Sequence, residues 1–451
     1  MSELAELPIL AFSLDAMVLG RGIVRVRAGL TALATVVVVA AVGCTSGNDG
    51  GAASQAAATS TTVHHTTTPA ALGPDATPRE VRARFEQLLG QHALLAVRQA
   101  RSEVAMAPDL KKVVDASLAA NAGALQQLVT VTYDGAQAAE FEQLWKGYTD
   151  ELAAYAQASA TGNATGVQEA RAALLAHCED WGAFLDDASA GRVEAAKATK
   201  NAQARVEQLM QQVDAYADRD YAQAYKLERQ AYQGTYGAGT TLAKASLTTK
   251  EAADLDKAPE NLRSAFSMLL GEHMELIVDA QRATFAGSPE FDAAAAQVNA
   301  NTATLTKAMS GIVGPEKAAE FQAAWANHVE GLMAYTAAVA GKDEAAKTVA
   351  KENLDGFAER LALYFSDVVR NVLATDPLTD AITAHDAHLI NQADAYAAKD
   401  YARAQQVQDE GYTQMVGVAN VLVDAIAKVM AADLPAGGSK TGGGGTAHVH
   451  P

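Results

Sequence analysis

Three histidines of this chain sit where a helical protein keeps its core. Along Phe266, Leu270, His273, Ile277 and Ala280 the stripe residues recur at spacings of four and three, the period of one helix face. The same spacing links Phe321, Trp325, His328, Leu332, Tyr335 and Val339, and also Ile382, His385, Leu389, Gln392 and Tyr396. Stripe residues on antiparallel helices face a common interior. Neutral imidazole is a good nitrogen donor to zinc, copper or iron. His273, His328 and His385, with His388 one turn beyond, are therefore the candidate metal ligands. Asn353, Asp355 and Tyr412 are candidate outer partners that would orient the imidazoles. The competing reading is packing, in which each buried histidine is hydrogen-bonded to a neighbour. Geometry separates the two, because rings more than about 8 Å apart cannot share an ion at roughly 2 Å per bond.

Other chemistries lack their residues. A carboxylate-bridged di-iron bundle needs Glu-x-x-His on two helices, and no Glu-x-x-His occurs. His-Glu-x-x-His, Gly-x-Ser-x-Gly and Cys-x-x-Cys are missing too, and no Gly-rich phosphate loop follows a strand. The methionines form no Met-x-x-Met ladder that would line a copper store. The net charge of −18 argues against nucleic acid and anionic lipid surfaces. Of the two cysteines, Cys178 lies mid-helix beside His177 and reads as a small apolar core residue.

The elements that position the histidines come from a repeat. Phe85 to His92 matches Phe266 to His273 at an offset of 181. Ala138 to Phe141, Trp145, Leu152 and Tyr155 match Ala318 to Phe321, Trp325, Leu332 and Tyr335 at 180. Asp214 to Ala217, Asp220 to Ala222 and Tyr232 match Asp394 to Ala397, Asp400 to Ala402 and Tyr412, again at 180. This predicts an all-α protein of two tandem up-and-down bundles, residues 79–248 and 260–434. Each would have four long helices plus extra or broken ones. Breaks are expected at Gly287-Ser288-Pro289, Gly314-Pro315, Gly341-Lys342-Asp343, Asp376-Pro377 and Lys399-Asp400. Asp220 and Asp400 are the expected N-caps of each last helix. The first copy keeps His92 opposite His273. It carries Tyr148 for His328, Arg205 for His385, Gln208 for His388, and Ala173 and Leu175 for Asn353 and Asp355. One working site and one degenerate copy are the expectation.

The N-terminal region reads as an address. Arg21, Arg25 and Arg27 precede an apolar run, Ala28 to Gly43, of signal-peptide length. The run ends in Ala41-Val42-Gly43-Cys44, which resembles the bacterial lipobox. It implies a signal peptide over 1–43, lipidation of Cys44 and an extracytoplasmic chain anchored to the cell membrane. Residues 44–78, rich in Ser, Thr and Ala, read as a disordered tether, and 435–451 as a disordered Gly/His tail.

The second copy also resembles a family of uncharacterised bacterial extracytoplasmic helical-bundle proteins. The residues that carry the likeness are Glu272-His273, Asn327-His328, Asn353-Leu354-Asp355 and His385-Asp386-Ala387-His388. The resemblance implies fold and site position, and no reaction. The expected function is a non-enzymatic, surface-anchored lipoprotein that binds a transition metal or small ligand in the second bundle. The alternatives are an envelope scaffold or accessory subunit without a site, working with an envelope partner, and an oxidative metalloenzyme.

Overall fold

The computed structural model describes residues 72–73 and 75–432. The expected signal peptide, Cys44, residues 44–71 of the tether and the tail lie outside the described residues. Helices α1 (Pro78–Val104), α2 (Pro108–Thr132), α3 (Gly135–Thr161), α4 (Ala164–Ala188), α5 (Ala195–Ala217) and α6 (Tyr221–Ser246) precede a short α7 (Thr249–Asp254). Helices α8 (Ala258–Ala286), α9 (Phe291–Val313), α10 (Pro315–Gly341), α11 (Glu344–Val368), α12 (Thr375–Ala397) and α13 (Tyr401–Ala432) follow. The described residues contain no strand. Apart from α7, the helices run from 23 to 32 residues, so the expected division into long and broken helices does not appear.

Local chemistry sets the boundaries. Thr77 and Glu80 close a capping box ahead of Pro78, and Thr248 with Glu251 does the same for α7. Asp220 accepts from the Gln223 amide, and Asp400 from the Arg403 amide, each at 3.1 Å. Gly287 ends α8 at φ 58°, a left-handed conformation open to glycine without strain. The Asp376-Pro377 break falls elsewhere: Pro377 lies in the first turn of α12, where no intrahelical partner awaits its missing N–H. The chain turns instead at Arg370 and Asn371, both at positive φ.

Two helices are central. In α8 every residue from Leu269 to Gln281 is buried, and in α1 burial runs almost unbroken from Phe85 to Ser102. A helix buried on all sides must neutralise its polar residues internally. Glu272 meets Arg229 of α6 at 3.0 Å, Asn301 of α9 at 2.8 Å and Gln233 at 2.9 Å. Glu275 pairs with Arg98, and Asp279 lies 3.5 Å from Arg98 and 3.4 Å from Arg101. Arg101 also pairs with Glu228 and stacks its guanidinium 4.0 Å from the Tyr225 ring centre. Deleting one member of such a network leaves an uncompensated charge, typically at about 3–5 kcal/mol.

Several contacts join residues 180 or 181 apart in sequence. Arg79 meets Glu260, Arg98 meets Asp279, and the hydroxyls of Tyr232 and Tyr412 lie 3.4 Å apart. Gly90 and Gly271 admit these tyrosines. A Cβ at Gly271 would lie 2.8 Å from Tyr412 Cε2 and 3.0 Å from the Tyr232 hydroxyl. A Cβ at Gly90 would lie 2.7 Å from Tyr236 and Tyr412.

Around α8, a core that includes Phe266, Ile277, Leu305, Phe321, Leu332 and Leu389 joins α8 to α13. Each such side chain contributes about 1.5–3 kcal/mol on full burial. Helix α13 is long and apolar enough to cross a membrane by length and composition. Its Leu422, Val423 and Ile426 are buried in that core.

Candidate metal centre

His273 projects from α8, His328 from α10 and His385 from α12. Their ring centres form an equilateral triangle with sides of 5.6 Å. A ring nitrogen sits about 2.0–2.1 Å from a bound ion, and the ring centre about 1.1 Å further out. Three imidazoles on one ion therefore have centres about 5.2 Å apart if tetrahedral and about 5.5 Å apart if planar. The observed triangle has that size. One nitrogen of each ring lies within 4.8 Å of the other two. On an ion they would be about 3.4 Å apart, a closure of about an ångström within reach of small ring rotations.

The surroundings keep the rings neutral. His273, His328 and His385 are 0, 1 and 3% exposed. Burial pushes His273 down to about 3, and burial with neighbouring imidazoles holds His328 and His385 well below the usual histidine range. Protons therefore do not compete for the donor nitrogens at neutral pH. Trp325 packs on His273 at 4.6 Å between ring centres, and Phe357 stacks on His328 at 4.4 Å.

The polar atoms are unsatisfied. Both nitrogens of His273, both of His385 and Nδ1 of His328 have no hydrogen-bond partner among the described residues. A bonded packing network would supply such partners. Leaving a buried polar group unmade costs about 1–3 kcal/mol, and coordination would relieve that cost at one nitrogen of each ring.

Asp386, the residue after His385, completes the group. Its Oδ1 lies 3.4 Å from His328 Nδ1. Burial, and then the charge of Asp355, hold this carboxyl well above the usual carboxylate range. A carboxyl facing the second nitrogen of a ligating histidine fixes the ring's orientation. The stripe pattern misses Asp386 because it lies one residue off the His385 register. The signal available in the sequence was the His-Asp pair itself.

The remaining sequence candidates lie elsewhere. His388 is half-buried beside Gly411 of α13 and near enough to His385 to help hold its pKa down, but it is not one of the three rings that meet. Asn353 and Asp355 are exposed on α11 and do not contact the imidazoles, so they are not the orienting partners expected. Their difference from the partly buried Ala173 and Leu175 therefore lies outside the core. Tyr412 is fully buried, but its hydroxyl donates to the Gln87 carbonyl of α1 at 3.2 Å rather than to a histidine.

The corresponding place among α1, α3 and α5 shows what substitution does. His92 packs 4.5 Å from Trp145 and 5.6 Å from Tyr148. His273 keeps nearly the same distances to Trp325 and His328, 4.6 and 5.6 Å. A phenol thus stands where His328 stands, and no second group of three candidate ligands forms among the described residues. Cys178 is buried, and burial pushes its thiol up to about 11, so it is a packed thiol rather than a thiolate ligand.

No protein family, characterised protein or solved structure matches the chain.

Proposed function

We propose that this protein is a non-catalytic, extracytoplasmic lipoprotein that holds one transition metal ion among His273, His328 and His385. The observation that carries the reading is the 5.6 Å triangle of buried imidazoles, one nitrogen of each within 4.8 Å of the other two. Neutral imidazole favours zinc, copper or iron over magnesium or calcium, which require oxygen ligands. His388 plays no coordinating part in this reading, and Asp386 orients His328.

The ion would belong to the second of two tandem helical bundles, α8–α13, with α1–α6 as the first. Support comes from the repeat at 180–181 residues and from the contacts between residues at that same offset. The likeness to uncharacterised extracytoplasmic bundle proteins fits the same arrangement. A lipid on Cys44 would anchor the chain to a bacterial membrane, as the lipobox-like Ala41-Val42-Gly43-Cys44 suggests.

The test is metal analysis by mass spectrometry of protein purified without a histidine tag, stripped by chelator and reloaded. One ion per chain is expected, retained in His388→Ala and lost in the His273→Ala, His328→Ala double variant. Equal loading of the double variant, or no loading of the parent, removes the proposal. For the anchor, Cys44→Ala should move the chain from the membrane to the soluble fraction. An unchanged distribution removes that part.

A further inference from the structure

A cavity of about 50 Å³ adjoins the histidine triangle, and His328 and His385 form part of its wall. The rest of the lining is apolar, including Phe266, Leu305, Phe357 and Ala381. Trp325 belongs to the same wall, and its indole N–H is buried without a hydrogen-bond partner among the described residues.

Size and polarity limit what enters. An apolar cavity of about 150 Å³ takes benzene or xenon, so this one is too small for an aromatic ring and suits two or three heavy atoms. Water there would lack the two to four polar partners it needs. An anion or a hydrogen-bonding solute would lose its hydration without replacement. A small uncharged molecule gives up little. Three protein ligands also leave a four-coordinate ion with one open position, and this void lies against two of the three imidazoles.

We propose that the cavity is a chamber for an uncharged diatomic molecule of dioxygen size, which binds at the open position of the ion. The proposal rests on the reading of His273, His328 and His385 as ligands of one ion. Trp325, which shares the wall and has an unpartnered buried indole N–H, is the group that would donate to the ligand's outer atom. Ala381, one turn before His385 on α12, sets the volume.

Carbon monoxide on copper(I) tests this with the full chain under anaerobic conditions. Copper per chain is measured by mass spectrometry and carbon monoxide by its infrared stretch. The parent should bind one carbon monoxide per copper. Ala381→Leu should keep its copper and bind carbon monoxide at least tenfold more weakly, with Ala381→Val intermediate. Trp325→Phe should keep both ligands and move the stretch to higher wavenumber, because a hydrogen bond to the bound molecule has gone. If Ala381→Leu fails to fold, Ala381→Val decides. Copper bound without carbon monoxide, or equal affinity in the filled variants, overturns the chamber and leaves the metal site standing. No copper bound in the parent overturns both.

Discussion

Replacing His273 by leucine should make the metal-free protein more stable and the metal-loaded protein less so. The imidazole is fully buried and both its nitrogens lack partners. Removing two unsatisfied groups relieves about 1–3 kcal/mol each. The change of shape costs up to about 1.5 kcal/mol, and the cavity next to His328 and His385 gives the neighbours room to adjust. A net gain of about 1–3 kcal/mol is expected. With metal at a thousandfold over its dissociation constant, the parent gains about 4 kcal/mol and the variant almost nothing. The order of stabilities therefore reverses. Acid adds a second signature. Burial lowers the His273 pKa to about 3, so folding favours the neutral ring. That stability is complete above about pH 6.5 and is lost as pH falls toward 3. Between pH 6.5 and 5 the loss is about 2 kcal/mol, which the leucine variant escapes. Urea unfolding in chelator and in excess zinc, each at pH 7 and pH 5, measures all of this. A variant less stable than the parent in chelator, with no response of the parent to zinc, would refute the reasoning.

Gly271→Ala tests the close approach beside the site. Alanine gains about 1 kcal/mol in helix propensity, but its Cβ would lie 2.8 Å from the fully buried Tyr412 ring. Overpacking costs about 1–3 kcal/mol, so a lower urea midpoint is expected, and a higher one would show that the tyrosines yield. His92→Phe should flatten the acid limb of stability. Burial lowers the His92 pKa to about 4, so the parent loses up to about 3 kcal/mol between pH 6.5 and 4 through this residue. An unchanged pH profile of unfolding would contradict that.

The helical class and the inward face of each of the three histidines could be read from sequence because both depend on periodicity, whereas the level at which the rings meet could not. Core stripes at spacings of four and three locate the face of each helix, and Gly287, Gly314 and Lys399 locate the turns. Periodicity fails where a helix has no outer face. Glu272, Glu275 and Asp279 look like the polar side of an amphipathic α8, yet they are buried because α1, α6 and α13 cover that side. Only tertiary packing reveals that Arg98 and Arg229 wait there. Asp386 was hidden for the related reason that a residue one step off a stripe can still face a third helix. Asn353 and Asp355 show the converse, since a difference between repeats need not reach the interior.

The contacts between counterparts have one more implication. On the proposed tandem arrangement, the surface where Tyr232 touches Tyr412 and Arg79 grips Glu260 is one that a lone half would offer to its twin. Twins encoded by one sequence must carry matching interiors, so a self-paired ancestor would own two histidine triangles or none. Joining such twins end to end would let one hold a phenol, as at Tyr148, while the other holds an imidazole, as at His328. Loss of symmetry is then open to a fused chain and closed to a homodimer.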